Sequence, residues 1–278
     1  MLVKISLAML AFAANSLLCR IALGGVHIDP VSFSSIRVIA GAAALFFLLQ
    51  LMTPRKKPAF NGLNAALLTL YIFTFSFAYL ALSTAVGALL LFGTVQLVMT
   101  VCGLLQGEKI GGLKALGITG ALAGLALLLL PQAERPPLFS ALMMILSGIA
   151  WALFSLRGKR VTDAAASTAG NFILAVPVAI LALLLNRSVL HMDIPGLSLG
   201  MISGAITSGA AYLLWYSLLP LLTPATASTL QLSVPCLATL GGIVLLAEPL
   251  SLQVAVATLM ILPGIAVVIW ADKQSGGK

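Results

Sequence analysis

Apolar residues dominate this chain in ten long runs, and the polar residues fall mostly in the short gaps between them. The runs cover residues 5–23, 31–52, 63–82, 85–105, 112–130, 138–156, 165–185, 196–219, 225–247 and 252–271. Each is close to the roughly 20 residues an α-helix needs to cross a hydrocarbon core about 30 Å thick. Backbone groups in lipid must bond internally, which leaves helices or closed barrels. Barrel strands alternate apolar and polar positions. These runs do not, so the pattern predicts an all-α integral membrane protein of ten transmembrane helices. Only Ser83 and Thr84 separate the third and fourth runs, which predicts a tight, buried turn.

With 61% hydrophobic and 8% charged residues in 278, no room is left for a sizeable soluble domain. Lys4, the apolar run after it and the small residues at 11–14 could mimic a secretory signal. The run continues to Leu23, so it is read as a span that is kept. Cys19, Cys102 and Cys236 lie inside spans without metal-ligand spacing and are read as small apolar residues.

The net charge of +8 is spread over small loop clusters. A nucleic-acid groove would need a continuous basic surface, so these charges read as topology signals. With the N-terminus in the cytoplasm, inner segments hold Lys4, Arg55, Lys56, Lys57, Lys109, Lys114, Arg157, Lys159, Arg160, Lys273 and Lys278. The outer ones hold Arg20, Arg135 and Arg187. Positive residues favour the cytoplasmic side, so both termini are expected there.

The chain also repeats. Asp29-Pro30 and Asp163-Ala164 open the second and seventh spans, and Gly62-Leu63 and Gly196-Leu197 open the third and eighth, each 134 residues apart. Ala85 with Ala225, Glu108 with Glu248 and Gly124 with Gly264 are 140 apart, and Tyr79 matches Tyr216 near the ends of spans three and eight. The longer turn Pro220-Leu221-Leu222-Thr223-Pro224 absorbs the difference. The expected units are residues 1–133 and 134–278. A unit of five spans crosses an odd number of times, so its second copy enters from the opposite side. This is the inverted repeat found in many secondary transporters.

In this order, the motifs resemble the EamA-type members of the drug/metabolite transporter superfamily over essentially the whole chain. They are Ala14-Asn15-Ser16 followed by Arg20, the Asp29-Pro30 to Arg37 run, Tyr79-Leu80-Ala81-Leu82 into Ala85, and Gly107-Glu108-Lys109. The second half answers with Tyr212-Leu213-Leu214-Trp215-Tyr216, Thr223-Pro224-Ala225 and Ala247-Glu248-Pro249. The resemblance implies a multi-pass carrier of the bacterial inner membrane, often an exporter of amino acids or other small metabolites. It also implies a cavity between spans three, four, eight and nine, with one and six alongside. Two departures stand out. The family's Trp-Gly in span one reads Phe12-Ala13, and the proline midway along spans four and nine survives only as Pro235, opposite Val95.

Arg37 is the sharpest polar feature, about 9 Å inside the second span at 1.5 Å per residue. A guanidinium there can anchor a carboxylate or phosphate; alternatively it snorkels to the interface or pairs with Asp29 or Asn15. Its repeat counterpart is Asn171. Asn15, Gln96 and Gln231 are amides within spans that need partners, either substrate or a neighbouring helix. Thr94, Thr207 and Ser208 lie at mid-depth, where hydroxyls can also bond their own helix. Tyr71, Phe75 and Tyr79 recur every four residues on one face, and Tyr212, Trp215 and Tyr216 share another. They line a pathway, or else Tyr79, Trp215 and Tyr216 form an interfacial belt. Trp151 fits either role. The expected substrate-binding set is therefore Asn15, Arg37, Tyr71, Phe75, Tyr79, Thr94, Gln96, Trp151, Thr207, Ser208, Tyr212 and Gln231.

Pro177, Pro235 and Pro263 interrupt second-half spans and can serve as hinges. Gly117, Gly120 and Gly124 permit close helix contact, within the fold or in a homodimer. No carboxylate or histidine lies at mid-depth, which suggests facilitated diffusion or coupling without a membrane carboxylate. There is no H-E-x-x-H and no G-x-S-x-G, so an intramembrane enzyme is not expected. The leading expectation is a carrier of a small organic metabolite, working as a monomer in the bilayer without cofactor, metal or nucleic acid. A channel or a non-transporting membrane partner is the alternative. The charge bias sets a topology that thiol labelling can test. In a cysteine-free background on intact cells, an impermeant reagent is expected to label Arg187→Cys and to leave Lys57→Cys unlabelled until the membrane is opened. The reverse pattern contradicts the orientation.

Overall fold

A computed structural model describes residues 1–82, 84–129, 137–246 and 252–275. Ser83, Glu134, Arg135, Glu248 and Lys278, which carried parts of the turn, charge and repeat readings, lie outside the described residues. The elements are α1 (Leu2–Gly24), α2 (Pro30–Met52), α3 (Gly62–Ala78), α4 (Thr84–Leu105), α5 (Gly112–Leu129), α6 (Leu138–Gly158) and α7 (Ala164–Leu185). There follow α8 (Ile194–Ile202), a π-helical segment Ser203–Ala210, α9 (Ala211–Leu218), a 3-10 turn Leu219–Leu221, α10 (Pro224–Gln231), α11 (Ser233–Leu246) and α12 (Leu252–Ser275). Among the described residues there is no strand, only an isolated bridge between Ile28 and Met192. Among the described residues, seven segments are long and apolar enough to cross a membrane. α3 and α5 are shorter apolar helices.

Helix starts follow local chemistry. The Asp29 carboxylate accepts from the Val31 and Ser32 amides at 2.9 Å, and Pro30 occupies the first turn of α2, where its missing N–H costs nothing. Asn61, Asp163, Asp193 and Thr223 cap α3, α7, α8 and α10 in the same way.

Two runs are less regular than their apolarity suggests. The eighth passes through the π-helical segment, which shifts the register between α8 and α9. The ninth is divided at Leu232 into α10 and α11. Pro235 has no N–H to donate to the Gln231 carbonyl one turn earlier, and α10 ends at that residue. Pro177 and Pro263 stay inside α7 and α12. The third run stops being helical at Ala78, so Tyr79 closes α3.

In the bundle α2 runs along α7 and α5 along α12, while α3 and α4 pack on α6. α1 packs on α11 and on the rod formed by α8, the π-helical segment and α9. Large apolar side chains left exposed, such as Phe47, Leu51, Leu181 and Leu184, supply a lipid-compatible outer surface.

The two ends are tied differently. At the Asp29 end, His27 Nδ1 meets Asp193 Oδ2 at 2.7 Å and the His191 amide donates to Asp29 Oδ2 at 2.9 Å. At the Lys56 end, Lys56 pairs with Asp163, and the Ala59 amide donates to the Ala166 carbonyl at 2.8 Å. The Ala166 amide, then Lys56, hold the Asp163 carboxyl below its ordinary range. That cap contributes its stability above the ordinary carboxylate pKa and loses it as pH falls through the lowered value. On the same end a buried Lys114 joins Glu108 at 2.8 Å, Thr223 Oγ1 at 2.9 Å and Asp272. The starts of α5 and α10 are thereby fastened to the ends of α4 and α12.

The glycines of α5 serve packing within the fold. A Cβ on Gly117 would lie 2.7 Å from the Gly264 carbonyl oxygen, and one on Gly124 2.7 Å from Met260 Cβ, whereas Gly120 faces open space. Gly117→Val is therefore expected to cost roughly 1–3 kcal/mol through overpacking, and Gly120→Val close to nothing. Thermal unfolding in detergent checks the contrast, and equal effects of the two changes contradict it.

Candidate functional site

α2, α7 and the π-helical segment meet where small residues remove side-chain bulk. A Cβ on Gly41 would lie 2.5 Å from the Phe172 ring, and one on Gly204 2.4 Å from the Arg37 carbonyl oxygen. This contact carries Arg37 into the middle of the bundle, where it is fully buried.

Its guanidinium is held by neutral groups. Nε donates to Ser208 Oγ at 2.7 Å, and Nη2 donates to the hydroxyls of Tyr212 at 2.6 Å and Tyr71 at 3.2 Å. The Tyr212 hydroxyl donates in turn to that of Tyr71 at 3.1 Å. The rings of Tyr71 and Phe75 lie 5.3 and 5.4 Å from the guanidinium carbon, within cation–π range. Nη1 is buried with no hydrogen-bond partner. Arg37 thus neither snorkels nor pairs with Asp29, which caps α2, or with Asn15, which accepts from Ser203 at 2.7 Å and Thr207 at 3.1 Å.

Around this cage stands an aromatic wall. Trp151 lies 4.7 Å from Tyr212 and 4.9 Å from Tyr71, and Phe12 lies 5.4 Å from Trp151. The Trp151 indole N–H donates to Gln231 Oε1 at 2.6 Å, and Gln231 Nε2 donates to the Ala227 carbonyl. Beside the cage Phe12, Asn15, Ser16, Tyr71, Phe75 and Trp151 help to line a small cavity of about 10 Å³, room for about one water. Tyr79 is fully buried, with its ring 4.7 Å from Phe75. At the other end Tyr216 donates to the Phe154 carbonyl at 3.0 Å, and the Trp215 indole to Ser155 Oγ at 3.2 Å. The interfacial-belt reading of Tyr79, Trp215 and Tyr216 is therefore replaced: all three are fully buried between helices.

Of the expected residues, Arg37, Tyr71, Phe75, Trp151, Ser208 and Tyr212 come together. Asn15 and Thr207 form a linked pair on α1 and the π-helical segment, and Gln231 orients Trp151. α4 contributes less. The Thr94 hydroxyl bonds its own helix at Leu90, and Gln96 Nε2 donates to Thr100, leaving Oε1 without a partner. Phe12, Phe172 and Ser203 were not anticipated. Phe12 had a visible signal, since it stands where the resembling family has tryptophan. Asn171, the counterpart of Arg37, is fully buried and neither amide atom has a partner.

Removing Arg37 would leave the Tyr71 and Tyr212 hydroxyls bonded to one another, and would relieve the fold of an ion without a counter-ion. Arg37→Met is expected to unfold no more readily than the parent in detergent. A loss of about 3–5 kcal/mol, the scale of a broken buried pair, would mark the arginine as structural.

Comparisons with known proteins agree with this architecture. Residues 138–270 match the model of the EamA-like transporter family. An uncharacterized protein of Pseudomonas aeruginosa, PA1977, is 49% identical over 264 residues, covering 95% of this chain and 92% of its own. A solved crystal structure of a protein 20% identical covers 97% of this chain and 98% of its own at a TM-score of 0.74, a likeness of fold. A multi-pass helical chain with this family match and this relative belongs to the EamA-like transporter family.

Proposed function

We propose that the protein is a secondary transporter that moves a small organic metabolite, with amino acids among the candidates, across the bacterial inner membrane by alternating access. Export is the proposed direction, and facilitated diffusion down a substrate gradient the proposed energetics. Ten crossings form two inverted units, residues 1–133 and 134–278, with the Lys56 end and both termini in the cytoplasm. The working unit is a monomer. The substrate site is the Arg37 cage with its wall, comprising Tyr71, Phe75, Trp151, Ser208 and Tyr212, and with Asn15, Thr207 and Gln231 behind it. Tyr79 closes the outer approach, and Thr94 and Gln96 flank the path on α4.

The observation that carries this reading is what Arg37 touches. The offset of 137 that relates Tyr79 to Tyr216 also relates Tyr71 to Ser208 and Phe75 to Tyr212. Arg37 contacts all four, so it grips equivalent positions of both units. The packing supports the same relation. Exchanging each first-half helix for its counterpart turns α3 and α4 on α6 into the α8–α9 rod and α11 on α1, and returns α2 with α7 and α5 with α12 to themselves. A centre shared by two such units, plugged by Tyr79 on one side and Tyr216 on the other, suits a carrier in its occluded state.

Purified protein in liposomes, preloaded with unlabelled amino acids and organic acids, is expected to accumulate a labelled member of the panel by saturable counterflow. Joining Ser155→Cys to Trp215→Cys with a short thiol crosslinker is expected to stop that flux, and reduction to restore it. Flux that continues at full rate with the inner plug locked contradicts alternating access.

A further inference from the structure

We infer that the Arg37 cage is the seat of a carboxylate, and that the transported solute is an organic anion with an apolar body and no ammonium group. The inference deepens the carrier reading and rests on it.

Arg37 is a buried charge that the protein does not neutralise. All seven acidic residues of the chain lie at or beyond the ends of its apolar runs. The described ones are committed elsewhere: Asp29 and Asp193 to the caps and loop at one end, Asp163 to the α7 cap and Lys56, and Glu108 and Asp272 to Lys114 at the other. The guanidinium contacts only hydroxyls and aromatic faces among the described residues, and its Nη1 is buried without a partner. Desolvating an ion costs several kcal/mol unless it is paired, so a site of this kind gains most from a ligand that brings the missing negative charge. A carboxylate can take two parallel N–H donors of a guanidinium.

The surroundings fix the rest of the solute. Tyr71 and Phe75, the rings against the guanidinium, also line the neighbouring cavity with Phe12, Leu91, Phe92 and Trp151, and only Asn15 and Ser16 add polar side chains, so the body of the solute meets mainly apolar surface. An ammonium group buried here is best neutralised by a carboxylate. The chain places no carboxylate within its spans, and the two rings in cation–π range of Arg37 already serve that cation. A zwitterion would therefore bring a second cation beside Arg37 with no protein carboxylate to offset it. Arg20, half-buried with Nη1 3.5 Å from the Tyr79 carbonyl, adds a second cation at the outer plug and favours anions along the approach.

Two matched sets of probes separate the charge of the solute from its shape. One comprises 4-methylpentanoate, leucine, 4-methylpentanamide and isoamylamine. The other comprises 3-phenylpropionate, phenylalanine, 3-phenylpropionamide and phenethylamine. At neutral pH the two acids are expected to raise the unfolding temperature of the purified protein, to quench its tryptophan emission saturably, and to bind at least tenfold more tightly than the other members of their sets. Arg37→Gln is expected to abolish the preference, and Arg37→Lys to keep part of it; a monodisperse elution profile shows that each variant is folded. Equal or tighter binding of the amino acids, amides or amines overturns the inference, as does an acid preference that survives Arg37→Gln or a failure of both acids to bind. Counterflow of another solute that is indifferent to Arg37→Gln would sink the inference and spare the carrier reading. Arg37-dependent binding of the acids with no flux of any solute would do the opposite.

Discussion

A guanidinium lies at the centre of a lipid-embedded bundle with three hydroxyls and two ring faces as its company. The bilayer offers it neither water nor a counter-ion, so the helices around it must supply whatever stabilisation it receives. That demand explains why polar side chains from separate elements converge there. Tyr71 comes from α3, Ser208 from the π-helical segment and Tyr212 from α9, each a hydroxyl that accepts from the same cation. The aromatic wall packs around the cage, and the Trp151–Gln231 bond fixes the ring that backs both tyrosines.

The departures from regular helix lie close to this centre. The π-helical segment carries Ser208 at a register that an unbroken α-helix would not give it, and the division at Leu232 follows directly after Gln231. Rods that only cross lipid have no need of either feature. Both lie in the second half, whereas α3 and α4 run without such a break. Arg37 is charged and bonded, while Asn171, its expected counterpart, is a buried amide without partners. The ends of the bundle, by contrast, are conventional: caps, ion pairs and a backbone bridge tie the loops, with Lys114 as the densest knot.

Much of the architecture was legible in the sequence because the bilayer imposes a length and a composition that few other structures share. Asp29-Pro30 announced the start of α2, and glycines at 117 and 124 announced a close neighbour. Arg37 stood out because a charge inside an apolar run is costly. What it touches was not legible. Tyr212 lies 175 residues away, and its reach depends on a π-helical turn whose sequence, Ser203 to Ala210, is as small and mild as any α-helical stretch in this chain. Tyr79, Trp215 and Tyr216 sit near the ends of their runs, where interfacial aromatics also occur. Only the packing of α6 and α3 against them separates a plug from a belt. The partnership of Gln231 with Trp151 was hidden for the same reason, since an amide in lipid announces a need for a partner without naming it.

The proposed alternation requires that the Tyr79 side and the Tyr216 side of the cage open in turn. Pulsed electron-spin distance measurement between labels at Arg20 and Leu80, and separately between labels at Gly158 and Leu219, reads both ends in liposomes. Alternation predicts two populations at each end, with added solute lengthening one distance while the other stays short. A solute that lengthens both distances together, or leaves both unchanged while it is being carried, would contradict a bundle that alternates about Arg37.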